Sequence, residues 1–230
     1  MGTEVTLIAN EGVHIATPDA SFYVDAFFGG PFGLGSRRGA GEVRKADLIL
    51  VTHAHWDHFD ARQVAEAARL TGATVIGPHS VVGQLKGEVA ATALCEMEPA
   101  AAPGREPARS VGAEFPSATV TAYRTFHSRD HNSYLVETPG FRFFHDGDNE
   151  DTRRVDAAKL GRLDALLIGP WQGGGWVEFI EKLAPTRYFL IHLDEGELRQ
   201  HDAGKFLPEL CDHVPPGLVV LKPGETFTFS

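Results

Sequence analysis

Cysteine is scarce: Cys95 and Cys211 are the only two in 230 residues. No disulfide framework can be built from them, and a reducing compartment is the simpler setting. Long apolar runs are missing too. Nothing approaches the roughly 20 consecutive apolar residues that a bilayer span needs. The opening MGTEVTLIAN lacks the basic segment and apolar core of a secretory signal. It matches the Met-Gly-x-x-x-Ser/Thr acylation pattern, but its Thr6 lies in what reads as the first strand. A cytoplasmic location is therefore expected. Positive charge is short, 21 basic against 31 acidic residues, for a net charge of −10. The small basic cluster of Arg37, Arg38, Arg44 and Lys45 reads as a solvated loop and not as a phosphate-neutralising stripe. Nucleic acid is not an expected partner; a small molecule is. The glycine-rich GGPFGLGSRRGAG is not closed by Gly-Lys-Ser/Thr, which excludes a Walker loop. No repeat recurs at a fixed period, and no feature fixes an oligomeric state.

What is present is ordinary globular material, 43% hydrophobic and 23% charged, in a length that fits one domain over residues 1–230. EVTLIAN, GVHIATP and SFYVDAFF read as strands separated by turn residues. The segment at 29–41 reads either as a flap with apolar tips at Phe28, Phe32 and Leu34 or as an inert turn. ADLILVT is a strand-length apolar run. DARQVAEAARLTG follows as a helix, with Asp60 as N-cap, Gly72 as stop and an apolar face of Val64, Ala67, Ala68 and Leu70. ATVIGP is another strand, and HSVVGQLKG a short helix. Residues 99–110 read as a loop. SATVTAYRTFH, NSYLVETPG and FRFFHDGDN read as strands, the last two joined by a Pro139-Gly140 turn. DTRRVDAAKLG, GGGWVEFIEKLAP and GKFLPELCDH read as helices, LDALLIGP and TRYFLIH as strands, and GLVVLKPGETFTF as a closing strand or hairpin. Strands come first and then alternate with helices. Two sheets with helices packed outside satisfy that order.

Residues 51–60, VTHAHWDHFD, crowd three histidines and two aspartates into ten positions directly after a buried strand. Strand ends preceding a helix are where α/β folds build sites. His53 and His55 are two apart, so an extended backbone aims both the same way. Asp57 and His58 are adjacent and expected to diverge, so one loop could serve two metal ions. With eleven histidines in the chain, a chance His-x-His-x-Asp-His arises in on the order of one sequence in several hundred. Imidazole and carboxylate are both zinc ligands. A catalytic site fits better than a structural one, which would employ cysteines.

THAHWDH resembles the Thr-His-x-His-x-Asp-His signature of the metallo-β-lactamase-fold hydrolases. Later segments keep the family's order. His127 ends a strand in RTFHSRDHNSYLVE, Asp148 follows one in FFHDGDN, and His192 ends one in YFLIHLDE. Asp25 follows a strand in the opening hairpin, as in the family. The resemblance implies a four-layer αββα sandwich of two mixed sheets packed face to face. It also implies two divalent ions, zinc first with manganese or iron as alternatives. His53, His55 and His127 would hold one ion and Asp57, His58 and His192 the other, with Asp148 bridging. A hydroxide shared by the ions would cleave a small ester, lactone, amide or phosphodiester, as in compact lactonase-like and phosphodiesterase-like members. The alternative on this fold is a mononuclear iron oxygenase resembling persulfide dioxygenases. Beside Asp57, the candidate catalytic residue is His131, which either contacts substrate and shuttles a proton or sits on the surface. Asp146, two before Asp148 on the same strand face, is expected to orient a ligand histidine. Trp171 and Trp176 flank a loop that either walls the substrate pocket or belongs to the core.

Overall fold

A computed structural model of the chain describes residues 2–28 and 39–230. The chain divides into two compact units, Met1–Glu98 with Leu221–Ser230, and Pro99–Val220. The first contains β1 (Glu4–Ala9), β2 (Gly12–Ala16), β3 (Ser21–Val24), β4 (Leu48–Leu50), α1 (Ala61–Thr71), β5 (Thr74–Gly77), α2 (His79–Leu85) and β6 (Leu94–Glu96). The second contains β7 (Ser110–Phe115), β8 (Ala118–Arg124), β9 (Asn132–Thr138), β10 (Phe141–His145), α3 (Ala157–Leu160), β11 (Ala165–Ile168), α4 (Trp176–Leu183), β12 (Arg187–Leu190), α5 (Glu195–Asp202), α6 (Phe206–Leu210) and β13 (Leu218–Val219). The chain then returns to the first unit for β14 (Thr226–Thr228).

Each unit holds one seven-stranded mixed sheet, in the orders β14-β1-β2-β3-β4-β5-β6 and β13-β12-β11-β10-β9-β8-β7. In the first, β14, β1, β2 and β3 pair antiparallel, and β3 to β6 pair parallel. In the second, β7 to β10 pair antiparallel, and β10 to β13 pair parallel. Parallel neighbours need crossovers; α1 and α2 supply those from β4 to β5 and from β5 to β6 in the first unit, and α3, α4 and the α5–α6 pair those in the second.

Alternation explains why the central strands read as unbroken apolar runs. Tyr23, Ile49 and Val75 pack with Val64, Ala67 and Ala68 of α1, while Phe22, Val24, Leu48, Leu50 and Ile76 on the other face are buried as well. In the second unit Leu166, Ile168, Tyr188 and Leu190 pack with Phe179, Ile180 and Leu183 of α4; Ala165, Leu167 and Phe189 opposite are also buried. Asp60 caps α1, accepting from the amides of Arg62 and Gln63 at 2.9 and 3.0 Å. Gly72 closes the helix at φ 74°, a left-handed position that favours glycine.

The structure differs from the sequence reading in several places. Leu70 is 57% exposed and not part of the α1 face. Phe28 is a buried core residue and not an apolar tip; Phe32, Leu34, Arg37 and Arg38 lie outside the described residues. The segment expected as one helix at 151–161 is a 3-10 turn, Thr152–Arg154, followed by α3, because Asp156 accepts from the Ala158 amide and restarts the chain. The closing segment is not a hairpin. β13 pairs with β12 in one sheet and β14 with β1 in the other. Among the described residues no helix is long and apolar enough to cross a membrane.

Candidate metal centre

In the first unit the motif loop is built on β4 and clamped by Asp25, which follows β3 at φ 46°. The Asp25 amide donates to the Leu50 carbonyl at 3.0 Å. Its carboxylate accepts from the Thr52 amide at 2.8 Å and from the Thr52 hydroxyl at 2.6 Å. That clamp fixes a tautomer. The Thr52 hydroxyl has one proton and gives it to Asp25, so at 2.9 Å it accepts from His53 Nδ1–H, leaving the His53 Nε2 lone pair for a ligand.

A turn then folds the loop back, with the His58 and Phe59 amides donating to the His55 carbonyl at 3.1 and 2.9 Å. It brings the His53 ring to 4.2 Å from that of His55 and 4.3 Å from that of His58, between centroids. Asp57 and His58 do not diverge as an extended chain would make them. Asp57 Oδ1 is 3.5 Å from His58 Nε2. Four candidate ligands thus stand together in this unit, His53 and His58 buried and His55 exposed.

In the second unit three strand ends meet. β9 runs opposite to both β8 and β10, and β10, β11 and β12 run together. The carboxyl ends of β8, β10 and β12 therefore share one edge of the sheet. His127 follows the first, Asp148 the second and His192 the third. His127 Nε2 lies 3.3 Å from Asp148 Oδ2 and His192 Nε2 3.4 Å from Asp148 Oδ1, so one imidazole faces each carboxylate oxygen. The ring of Trp171 is 5.1 Å from that of His192, whereas Trp176 is a core residue of α4.

Behind Asp148 runs a hydrogen-bonded chain whose protons can be assigned throughout. Ser133 Oγ donates to the Asp146 carbonyl at 2.7 Å and to its carboxylate at 3.0 Å. It therefore accepts from Thr125 Oγ1 at 2.8 Å. Thr125 in turn accepts from His131 Nδ1 at 2.8 Å. His131 Nε2, left as an acceptor, receives the Asp148 amide at 3.0 Å. His131 is completely buried and both ring nitrogens are engaged. His131 is therefore not the surface histidine of the alternative reading, and its ring holds the Asp148 backbone amide. Burial pushes the Asp146 carboxyl up to about 7, against hydrogen bonds from Asn149 and Ser133 that lower it. Asp146 is joined to Ser133 and Asn149, not to a ligand histidine.

The carboxylates nearest to the Nδ1 atoms of two candidate ligand histidines, His127 and His58, are ones absent from the sequence reading. Glu150 Oε1 is 2.8 Å from His127 Nδ1, brought there as its amide donates to the Phe126 carbonyl at 2.8 Å. Glu11 Oε1 is 2.6 Å from His58 Nδ1. The only available signal was chemical: a ligand histidine needs an acceptor for its second nitrogen.

Residues 21–193 match the family described as the beta-lactamase superfamily domain. The chain therefore belongs to the metallo-β-lactamase superfamily, and by class it is a metal-dependent hydrolase. It is similar to a UPF0173 metal-dependent hydrolase of Haloquadratum walsbyi, 26% identical across 85% of this chain and 90% of that protein. Among solved structures, Igni18, a metallo hydrolase of Ignicoccus hospitalis, matches with TM-score 0.65 and 19% identity, covering 100% of this chain and 99% of that one. CmlA, a diiron β-hydroxylase of Streptomyces venezuelae, matches with TM-score 0.61 and 14% identity, over 99% of this chain and 54% of that one. The fold is thus the expected α/β one, two mixed sheets with helices outside.

Proposed function

We propose that residues 1–230 form one catalytic domain, a dinuclear hydrolase that holds a pair of divalent ions. His53, His55 and His127 hold the first ion, Asp57, His58 and His192 the second, and Asp148 bridges. The observation that carries this reading is Asp148 itself, a buried carboxylate with an imidazole Nε2 at 3.3 and 3.4 Å on its two oxygens. That is the arrangement of a bridging ligand with a histidine beside each ion. The donor set of imidazoles and carboxylates without thiolate suits zinc, and manganese or iron as alternatives.

Bound there, the ions would supply Lewis acidity and lower the pKa of a coordinated water towards neutrality. The chain's residues do the rest. Asp25, acting through Thr52, and the relay from Asp146 to His131 fix the two donor groups before metal arrives. Asp57 contributes a ligand and a carboxylate able to take up a proton. Trp171, beside His192, offers an apolar wall, and the substrate is a small ester, lactone, amide or phosphodiester. The enzyme works in the cytoplasm on a small molecule.

The test is elemental analysis of natively purified protein, joined to a screen of chromogenic phosphodiesters, lactones and thioesters. Two equivalents of zinc and a hydrolysis lost to chelator and restored by zinc are expected. A single iron with oxygen consumption would transfer the site to the oxygenase alternative, and a metal-free native protein would end both readings.

A further inference from the structure

Glu11 lies in the β1–β2 turn, Asn10-Glu11-Gly12, where a glutamate ordinarily points into water. Here it is completely buried, and so is the His58 ring it meets at 2.6 Å. The topology explains how it gets there. β1 runs opposite to β2, and β2 opposite to β3, while β3 and β4 run together. The carboxyl ends of β1, β3 and β4 therefore share one sheet edge, and Glu11, Asp25 and the motif loop follow those three ends. The hairpin is also pressed against the backbone after β3. A Cβ on Gly12 would come within 2.4 Å of the Asp25 carbonyl oxygen and 3.0 Å of Ala26 Cα. Only glycine permits so close an approach.

The geometry points to Glu11 as the positioning residue for His58, a role that rests on the metal reading of the loop. Asp25 Oδ2 is also near His58 Nδ1, at 3.6 Å, but both Asp25 oxygens already accept short bonds from Thr52. Glu11 Oε1, at 2.6 Å an ion-pair contact, is thus the carboxylate oxygen nearer to Nδ1. A carboxylate on Nδ1 fixes the Nδ1–H tautomer, turns the Nε2 lone pair towards the side where Asp57 Oδ1 stands 3.5 Å away, and makes that nitrogen more basic. A buried carboxylate is costly unless paired and hydrogen-bonded; a second cation beyond the imidazole completes its compensation. His53 and His58 are thereby prepared alike by different partners, Thr52 for one and Glu11 for the other.

Glu11→Ala and the isosteric Glu11→Gln separate this role from simple packing. In chelator-stripped protein, two-bond proton–nitrogen correlation spectra report the His58 tautomer, assigned by its absence in His58→Asn. The wild type should show Nδ1–H alone and Glu11→Ala a mixture. Glu11→Gln should keep the tautomer through its amide oxygen. Competition with a chromophoric chelator should show one of two zinc sites weakened by about 10–100-fold in Glu11→Ala. Glu11→Gln should lie between Glu11→Ala and wild type, and the other site should be unchanged. Should Glu11→Ala fail to fold, Glu11→Gln alone must still show the intermediate affinity. An unaltered tautomer and two undiminished sites in the variants would overturn the role. A wild type that takes up no zinc would defeat the metal reading instead, and the apoprotein tautomer would still decide what Glu11 does.

Discussion

The two units assemble their candidate donors in opposite ways. The first draws His53, His55, Asp57 and His58 from a single turn after β4, and Asp25 clamps that turn from the side. The second draws His127, Asp148 and His192 from three strand ends spread over 66 positions, and holds Asp148 from behind by a four-link hydrogen-bonded chain. One unit uses a contiguous loop that needs a lock; the other uses sheet geometry that needs alignment. Damage to the loop should therefore be local, and damage behind the strand ends should spread.

The largest effect expected is on chemistry without cost to the fold. Asp57→Ala should lower kcat/KM by on the order of a thousandfold or more, about 4 kcal/mol of transition-state stabilisation. The melting temperature of the metal-free protein should stay put, because Asp57 lies outside the core strands and is partly exposed. Asp148→Asn should match that loss of activity and remove metal from both sites. A fully active Asp57→Ala enzyme, assayed on a confirmed substrate, would break the two-metal account of the loop.

The same contrast explains what could be read in advance. The loop was legible because its donors are neighbours in sequence and their chance co-occurrence is small. His127, Asp148 and His192 were legible only in their order after apolar strands; each alone could equally be a strand-end histidine or a turn aspartate. Glu11 and Glu150 were not legible. Their contacts are made by hairpin packing and by the Glu150–Phe126 backbone bond, which leave no local pattern. The helix α5 escaped for another reason. It buries no residue and stands on a capping box between Asp194 and Glu197, so it has no apolar period to detect. The edge strand β7 is similarly exposed along most of its length. Adjacent side chains on an extended chain diverge, whereas Asp57 and His58 sit on a tight turn that brings them together.

Next in size should be damage to the first unit's lock. Asp25→Ala leaves the buried Thr52 amide and hydroxyl without their acceptor, at about 1–3 kcal/mol for a buried group so deprived. It also places alanine at φ 46°, where L-residues other than Asn and Asp are strained. A loss of about 2–4 kcal/mol in denaturant unfolding is expected, with metal affinity falling alongside. Asp25→Asn tolerates the backbone and should recover most of the stability. Equal stability of Asp25→Ala and wild type would mean that the loop holds its shape without the clamp.

The second unit's alignment can be probed through His131. His131→Phe breaks the chain between the Asp148 amide and Thr125. It should weaken metal retention by about 10–100-fold while leaving the pH profile of the metal-saturated enzyme unchanged. A proton shuttle would give the reverse outcome, full metal and a missing limb in the pH profile. Measuring both quantities on one variant therefore distinguishes positioning from proton transfer.

The smallest effect expected lies on α1, where periodicity alone misled. Leu70 was assigned to the buried face of the helix, yet it is 57% exposed, while Ala65 is buried. The α1 stripe is carried by Val64, Ala65, Ala67 and Ala68, small residues that let the helix lie close to the sheet, and Leu70 falls beyond its edge. Leu70→Gln should therefore change stability by no more than about 0.5 kcal/mol, as for an ordinary surface site. Ala65→Leu should cost about 1–3 kcal/mol by overpacking. Reversal of that order in thermal unfolding would return Leu70 to the core and overturn the burial of α1 described above.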